Sequence, residues 1–321
     1  MRHALVAIAL AGLACGKQTF LAAAFVQTPA VPNPVDPSKP FPQYQVMTAF
    51  FGSIDTTDPT KIDPSKLAPI NDAAASISFH HKSTGPGDVD EDRYICADGN
   101  AAAGATPAKS PGCTNPTTGW SVSSSSTGAA YVISSVNEPR LTFENNTPYT
   151  LALITSSDGE AYGARLTPGP AADIAEFTAA TAQCTVNNPI PGQPAIVTKR
   201  CVQKTAGFAK MTITRTDAPV NGALLPAFVL VARIDPNNPG AEPQITFKTI
   251  PSDAPSLLKY VLSDIPYRWA SFDIAENLAF PQTGYYVVSL LTANTGKVSN
   301  NAFLGSTALA AAGTAGIVIV Q

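Results

Sequence analysis

Residues 227–234 read AFVLVARI, an apolar run with Pro226 before it and Asp235-Pro236 after it. A valine-rich run of this length, closed by turn-forming residues at both ends, is typical of a buried β-strand rather than a helix. Short runs rich in β-branched and aromatic residues recur at 44–54, 76–80, 140–143, 149–155, 209–216, 244–249, 285–291 and 316–320. Together they predict an all-β protein, built as an antiparallel β-sandwich or jelly roll.

Helix signals are scarce in this chain. Residues 256–262 follow Asp253 and Pro255, a capping residue and a first-turn proline, and they predict one short helix. Residues 270–278 predict a second. We therefore expect little helix.

The composition limits the classes of function that the chain can have. Charged residues make up 13% of the chain, against about 25% in an average soluble protein. The net charge of −3 provides no basic surface for phosphates, which argues against a nucleic-acid partner. Low charge with 29 prolines is typical of secreted all-β proteins and of virion shell proteins.

The N-terminus is predicted to be an export signal. A basic start precedes the apolar run 4–14, and small-x-small cleavage sites follow at Gly12-Leu13-Ala14 and Ala22-Ala23-Ala24. We assign residues 1–24 to the signal because the second site gives the more usual signal length. Cys15 raises a lipoprotein alternative, although Gly12 stands where a lipobox has leucine. An uncleaved anchor or structural arm is the other alternative. Residues 16–19 (GKQT) interrupt the apolar run, so we expect no membrane span in the mature form.

The cysteines indicate disulfides and hence an oxidising compartment. Five are present, and loss of Cys15 with the signal leaves four. Four cysteines allow three pairings, and equal spacing favours Cys96 with Cys113 and Cys184 with Cys201. Each bridge closes a loop of roughly 15 residues and contributes about 3 kcal/mol by restricting the unfolded chain. Neither CxxC spacing nor nearby histidines point to a metal, so we predict structural staples.

The two cysteine pairs share a wider pattern. Cys96, Cys113, Gly119 and Trp120 recur as Cys184, Cys201, Gly207 and Phe208, each 88 positions further on. We interpret this as two tandem or pseudo-duplicated β units with stapled loops, residues 44–138 and residues 139–321. The alternative is a single sandwich whose two similar edges each carry a stapled loop. Six prolines in residues 27–43 predict an extended Pro-rich arm, residues 25–43, ahead of the first unit.

An acidic run is the best candidate for a metal site. Asp88, Asp90 and Asp92 have the opening spacing of a calcium loop, in which alternating carboxylates converge on one ion. The pattern then departs from the motif, because Arg93 occupies the glycine position and Gly99 the position of the bidentate acid. The default interpretation is therefore a solvated acidic loop. A calcium ion held by these aspartates is the alternative, and calcium is the one cofactor that the sequence suggests.

No catalytic constellation is evident, and we predict that the protein is not an enzyme. His80 and His81 are adjacent on a predicted strand and point to opposite faces, so they cannot share one site. A secreted glycoside hydrolase or carbohydrate-binding module would need paired acids and stacking aromatics. The candidates are Glu138, Glu144, Asp158, Glu160, Asp173 and Glu176, with Trp120, Tyr162, Tyr260, Tyr267, Trp269, Tyr285 and Tyr286.

The remaining signals favour a role at the cell surface or outside the cell. Asn145 begins a glycosylation sequon, Asn145-Asn146-Thr147, in a predicted exposed turn. The preferred function is an exported, disulfide-stabilised structural or adhesive subunit that binds a surface partner or itself. In that hypothesis the arm adds a strand to a neighbouring copy, and residues 316–320 provide the pairing edge. A virion shell protein, and a glycan-binding module or hydrolase, are the alternatives.

Overall fold

The computed structural model of the chain is built from strands. It describes residues 17–36, 38–55, 68–69, 76–82, 89–97, 113, 115–125, 128–154, 160–178, 183–186, 196–204, 210–217, 224–249, 269–275, 279–300, 302 and 306–321. The strands in this part of the chain are β1 (Lys17–Gln27), β2 (Gln45–Asp55), β3 (Ala68–Pro69), β4 (Ser76–Lys82), β5 (Val89–Ala97), β6 (Pro116–Thr117), β7 (Ser121–Ser125), β8 (Gly128–Ser134), β9 (Tyr149–Ile154), β10 (Ala161–Leu166), β11 (Ile174–Thr178), β12 (Gln183–Val186), β13 (Ile196–Lys204), β14 (Lys210–Arg215), β15 (Ala227–Ile234), β16 (Gln244–Lys248), β17 (Ser271–Ala275), β18 (Gly284–Thr295), β19 (Lys297–Val298) and β20 (Thr307–Val320).

The described strands form three sheets, which confirms the predicted all-β sandwich class. The 11-stranded sheet has the order β16-β15-β18-β20-β1-β2-β8-β7, with β13 also paired to β20, β12 to β13 and β3 to β2. The six-stranded sheet has the order β19-β10-β9-β4-β5-β6, and the three-stranded sheet has the order β11-β14-β17. Neighbours are antiparallel except in the pairs β1/β20, β13/β20 and β5/β6.

Two hydrophobic cores lie between these sheets. The first is formed by β1, β2 and β8 of the large sheet against β4, β5, β9 and β10, with Phe25, Phe51, Phe79 and Tyr131 fully buried or nearly so. The second is formed by β13, β15 and β18 against the three-stranded sheet. Strand alternation explains the first core, since alternate residues of β9 point inward. The long strand β18 is instead buried at eight consecutive positions, because both of its faces are covered.

One strand, β20, belongs to both cores. Ala308 and Ala310 near its start pack in the first core, and Val318 and Val320 near its end pack in the second. Gly313 lies where β20 passes from one core to the other. A Cβ atom at this position would stand 2.5 Å from the carbonyl oxygen of Leu290 on β18. Only glycine therefore permits the close approach of these two strands.

The Pro-rich segment is docked on its own chain. Val31 and Phe41 form an isolated antiparallel bridge. Both pack with Ile317 against the face of the large sheet that points away from the second core. The prediction that residues 316–320 offer a pairing edge is wrong, because β20 is bonded to β18 on one side and to β13 on the other.

The sheets do not divide at the boundary expected near residue 138. Strand β9 pairs with β4 along its length, and β10 follows next to β9 in the same sheet. Strand β1 in turn lies between β2 and β20. Strands from 44–138 and from 139–321 therefore share both larger sheets. Residues 17–24, assigned to the signal by sequence, form most of β1.

The short helix expected at residues 270–278 is wrong. Residues 271–275 form β17, which pairs antiparallel with β14. Phe272 and Ile274 alternate with the polar Ser271 and Asp273, and Ile274 is buried in the second core. This alternation of polar and apolar residues is typical of a β-strand and not of a helix. The other expected helix, residues 256–262, lies outside the described residues. None of the described residues belongs to a helix long and apolar enough to cross a membrane.

A buried tyrosine closes a corner in each core. The Tyr149 hydroxyl donates to the carbonyl of Thr142 at 2.8 Å and accepts from the N–H of Glu144 at 3.1 Å. The Tyr286 hydroxyl donates to the carbonyl of Gln282 at 2.8 Å and accepts from its N–H at 3.2 Å. A tyrosine that bonds the backbone a few residues upstream is the tyrosine corner of Greek-key sandwiches. Each core thus has its own corner.

Candidate functional site

Cys96 and Cys113 form a disulfide. Their Cα atoms are 6.3 Å apart, and both residues are buried. Cys96 lies on β5 and Cys113 just before β6, the strand that pairs in parallel with β5 at Pro116 and Thr117. The bridge therefore ties the end of the loop to the strand from which the loop departs. The presence of a disulfide, predicted from the spacing, is confirmed.

The second cysteine pair is described only in part. Cys201 lies on β13 and is also disulfide-bonded, and it is fully buried. Cys184 lies on the neighbouring strand β12, but its side chain is outside the described set. The two segments that share the cysteine pattern 88 positions apart do not occupy equivalent places in the sheets. Trp120 leads into β7 in the 11-stranded sheet, whereas the strand that follows position 208, β14, is the centre of the three-stranded sheet.

An ion pair anchors the loop that follows Cys113. Arg140 donates from Nε to Oε1 of Glu138 at 2.8 Å and from Nη2 to Oε2 at 2.7 Å. A third donor, Nη1, reaches the carbonyl of Asn115 at 2.9 Å. The Arg140 guanidinium, with a smaller contribution from Thr117, lowers the pKa of Glu138 to about 2. This carboxylate is therefore a structural anchor and a poor general acid.

Most of the acidic run lies within strand β5 rather than in a loop. Asp90 and Asp92 belong to β5, their side chains are outside the described set, and so is the whole of Asp88. Among the described residues no three His, Cys, Asp or Glu side chains are grouped as a metal site would require. The calcium site stays a prediction.

The sequon lies in an exposed turn ahead of β9. Asn145 and Asn146 are both exposed. Asn146 has a φ of 61°, a left-handed conformation that asparagine tolerates. Its N–H donates to the carbonyl of Pro168 at 2.7 Å, which holds the turn in place. Glycosylation at Asn145 stays a prediction, with an accessible side chain in its favour.

The histidines occupy different environments, as expected for neighbours on a strand. His81 is buried, its ring lies 5.2 Å from that of Tyr149, and its Nε2 lies 3.2 Å from Oε2 of Glu144. His80 is half-buried on the opposite face of β4. Glu144 is also the residue whose N–H bonds the Tyr149 hydroxyl. The contact between His81 and Glu144 thus belongs to the first tyrosine corner.

A polar cleft of about 360 Å³ opens beside the β15–β16 connection and the start of β18. The polar and aromatic residues that line it include Tyr285, Arg233, Asp235, Glu242 and Gln244. This volume is at the lower end of the range for small-molecule sites. We refer to these five residues as the polar cleft.

Two consecutive turns build one wall of the polar cleft. The first closes from the N–H of Asn238 to the carbonyl of Asp235 at 3.1 Å, and the second from Ala241 to Asn238 at 3.0 Å. The Asp235 carboxylate accepts from the N–H of Asn237 at 2.9 Å. The sequence DPNNPG at 235–240 favours this path, because proline and asparagine suit turn positions. Its polar groups are thereby fixed by the backbone.

A glycine makes room for the Arg233 side chain at the start of β18. Gly284 has a φ of 142°, which other residues rarely adopt. A Cβ here would stand 3.0 Å from Nε of Arg233. The guanidinium donates to the carbonyl of Thr283 at 3.3 Å. This bond holds the guanidinium beside the backbone at the start of β18.

The sequence named one member of this cleft and missed the others. Tyr285 was among the candidate stacking aromatics, whereas Trp120 and Tyr286 from the same set are buried in the cores. Arg233, Asp235, Glu242 and Gln244 carry no motif. The turn-rich 235–240 segment marked a loop, but no sequence pattern showed which polar residues would converge there.

The comparisons with known proteins give no family. No protein-family model and no curated protein matches the chain. Among solved structures, a chimeric titin Z1Z2 functionalised with a KLER exogenous peptide from decorin is 12% identical with a TM-score of 0.21, and the match covers 95% of this chain and 98% of that chain. Domains A168-A170 from titin are 7% identical with a TM-score of 0.18, with 95% and 67% covered. At these TM-scores neither likeness bears on function.

Proposed function

We propose that this chain is an exported, non-enzymatic protein that acts at the cell surface or outside the cell as a structural or adhesive subunit. The observation that carries the proposal is the disulfide between Cys96 and Cys113, both of which are buried. Such bridges form and persist in oxidising compartments and are rare in the cytosol. A buried disulfide beside the core therefore favours export.

The non-enzymatic part is supported by the contacts of the charged groups. Glu138 is bound by Arg140 through two bonds, and Arg215 is buried, pairs with Asp217 and bonds two backbone carbonyls. His81 contacts Glu144 at the first tyrosine corner. Groups engaged in this way stabilise loops and corners, which suits a scaffold.

Cell fractionation with thiol trapping tests the proposal. The native protein is alkylated before and after reduction, and the intact mass counts the cysteines that become reactive. We expect the protein outside the cytosol, with Cys96 and Cys113 reactive only after reduction. A cytosolic protein in which all five cysteines are free thiols contradicts export. A retained Met1 in an assembled particle would instead support the virion shell alternative.

Self-association through the arm takes a specific form in this structure. Because the arm and β1 are docked on their own chain, a second copy can use them only by exchange of the same contacts. We expect dimers or longer polymers whose fraction rises with protein concentration in analytical ultracentrifugation. If the protein is a monomer at every concentration, the proposed self-association is wrong, whereas the proposed export is unaffected.

Glycan binding in the polar cleft is the second candidate function. Its combination of an aromatic ring, a guanidinium and an amide is the chemistry with which proteins recognise sugars. The test is a glycan array probed with the native protein, with Tyr285→Ala and with Val136→Ala, an exposed residue that does not line the cleft. Binding that Tyr285→Ala abolishes and Val136→Ala retains supports this candidate. Equal binding by all three places the glycan elsewhere.

A further inference from the structure

Strand β1 is an internal strand of the largest sheet. All of its residues pair with β2, from Lys17 opposite Asp55 to Gln27 opposite Gln45. On its other side Ala22 to Val26 run parallel to Thr307 to Ala311 of β20. An internal strand satisfies the backbone groups of two neighbours at once, so its removal leaves two unpaired edges.

The side chains of β1 are central to the first core. Leu21 and Phe25 are fully buried in this core, and Phe20 is fully buried on the opposite face of the strand. The ring of Phe25 lies within 5.0 Å of the rings of Phe79, Phe143 and Tyr149. Residues buried to this extent, in a strand that pairs with β2 along its whole length, belong to the folded protein rather than to a removable leader.

The backbone of β1 is also fixed by a long-range side chain. The N–H of Leu21 donates to Oγ of Ser306 at 3.0 Å, a contact between residues 285 positions apart. Ser306 directly precedes β20. The N-terminal strand and the last strand are thus linked by both ladder bonds and this side-chain bond.

These contacts distinguish the two cleavage sites in the sequence. Cleavage after Ala24 would remove Lys17 to Ala24 and leave only Phe25, Val26 and Gln27 of β1. Cleavage after Ala14 would leave the whole strand, preceded by Cys15 and Gly16. The mature chain would then keep all five cysteines, with Cys15 at its N-terminus, instead of the four expected from the later site. We infer that the export signal is processed at Gly12-Leu13-Ala14 and that residues 17–27 remain in the mature protein. This inference rests on the export proposed above.

The apolar run 4–14 alone has the length of a signal core region. The second site, Ala22-Ala23-Ala24, resembles a cleavage motif because small residues also suit this strand. Ala22 and Ala23 are both buried between β2 and β20. A processing enzyme acting after β1 has folded would find the second site inside the sheet.

The native protein provides the first test. The intact mass of the reduced, exported protein should correspond to a chain that begins at Cys15. A chain that begins at Phe25 overturns the inference but keeps export. A chain that keeps Met1 outside the cytosol overturns it as well, since no processing took place. A cytosolic chain with Met1 is the separate result that defeats the proposed function.

Truncation provides the second test. Two chains, one beginning at Gly16 and the other at Phe25, are fused to the same independent export signal. We expect the first to accumulate with its disulfide formed and to unfold cooperatively in urea, and the second to be degraded or to lack a cooperative transition. Equal urea midpoints for the two chains overturn the inference.

A substitution pair separates loss of β1 packing from a general effect of added charge. In the chain beginning at Gly16, Leu21→Asp buries a charge in the first core, whereas Asn300→Asp changes an exposed position. We expect at least a tenfold loss of folded, protease-resistant protein for Leu21→Asp and no loss for Asn300→Asp. Full resistance of Leu21→Asp would mean that the packing of β1 is dispensable, and the inference would be withdrawn.

Discussion

The side-chain amide of Asn33 donates a hydrogen bond of 2.7 Å to the backbone carbonyl of Pro236, a residue 203 positions further along the chain. Asn33 is fully buried although it lies in the Pro-rich arm, and its Nδ2 also donates to the carbonyl of Lys39 at 3.0 Å. Pro236 belongs to the turn that forms one wall of the polar cleft. One arm residue thus links the folded-back N-terminal segment to the candidate binding site.

Asn33→Ala should weaken the whole fold and loosen this turn. The variant leaves two carbonyls without their donor, and the N–H groups of Val35 and Asp36 without their acceptor. We expect a loss of about 1–3 kcal/mol in the free energy of unfolding, measured by urea denaturation. The control is Gln43→Ala, an exposed arm residue with one bond to the carbonyl of Thr28. Equal midpoints for the two variants would show that the contact with Pro236 contributes little.

Two residues report separately on the two cores. Tyr149→Phe and Tyr286→Phe each remove a hydroxyl that bonds one N–H and one carbonyl. We expect each change to destabilise the protein by about 1–2 kcal/mol, and the two effects to add because the sites lie in different cores. Tyr162→Phe is the matched control, since this half-buried ring packs on Phe51 through its edge. A loss for Tyr162→Phe as large as for the corner variants would contradict the assignment.

Local pattern predicted the strands well and their partners poorly. The run at 227–234 coincides with β15, and Tyr149 to Ile154 alternates between buried and half-buried positions as a strand should. Which strands pair depends on contacts between distant residues, so the 88-residue offset gave no guide to the sheets. Residues 17–24 show the same limit. Apolar residues suit both a signal and an internal strand, and only the register with β2 and β20 distinguishes them.

The candidate site was harder to predict for the same reason. Asp235 and Glu242 flank a pair of turns, and Tyr285 comes from the start of β18. Their proximity requires β15 to pair with both β16 and β18, which no short motif encodes. The disulfide was easier, because equal spacing of two cysteine pairs is itself a local pattern.

Acid should weaken the anchor of the first stapled loop. The Arg140 guanidinium lowers the pKa of Glu138 from 4.5 to about 2 in the folded protein. A lowered folded-state pKa stabilises the protein above pH 4.5, and this contribution disappears as the pH falls toward about 2. The free energy of unfolding of the wild type should therefore decrease across this interval more than that of Glu138→Gln. Parallel pH profiles for the two proteins would contradict the role assigned to the ion pair.

The close pairing of β18 and β20 at Gly313 should determine whether the two cores unfold together. A Cβ at this position meets the carbonyl oxygen of Leu290 and Cδ2 of Leu291, both at 2.5 Å, so Gly313→Ala must separate β20, the strand shared by both cores, from β18. We expect a loss of about 1–3 kcal/mol and a broader urea transition, because the first core no longer transmits its stability to the second. Gly240→Ala is the matched control, since a Cβ there meets nothing within 4 Å. The measurement is tryptophan fluorescence and far-UV circular dichroism on the same samples, with Trp120 in the first core and Trp269 beside the second. Coincident, unshifted transitions in Gly313→Ala would show that the strands accommodate the methyl group and that the glycine is not required.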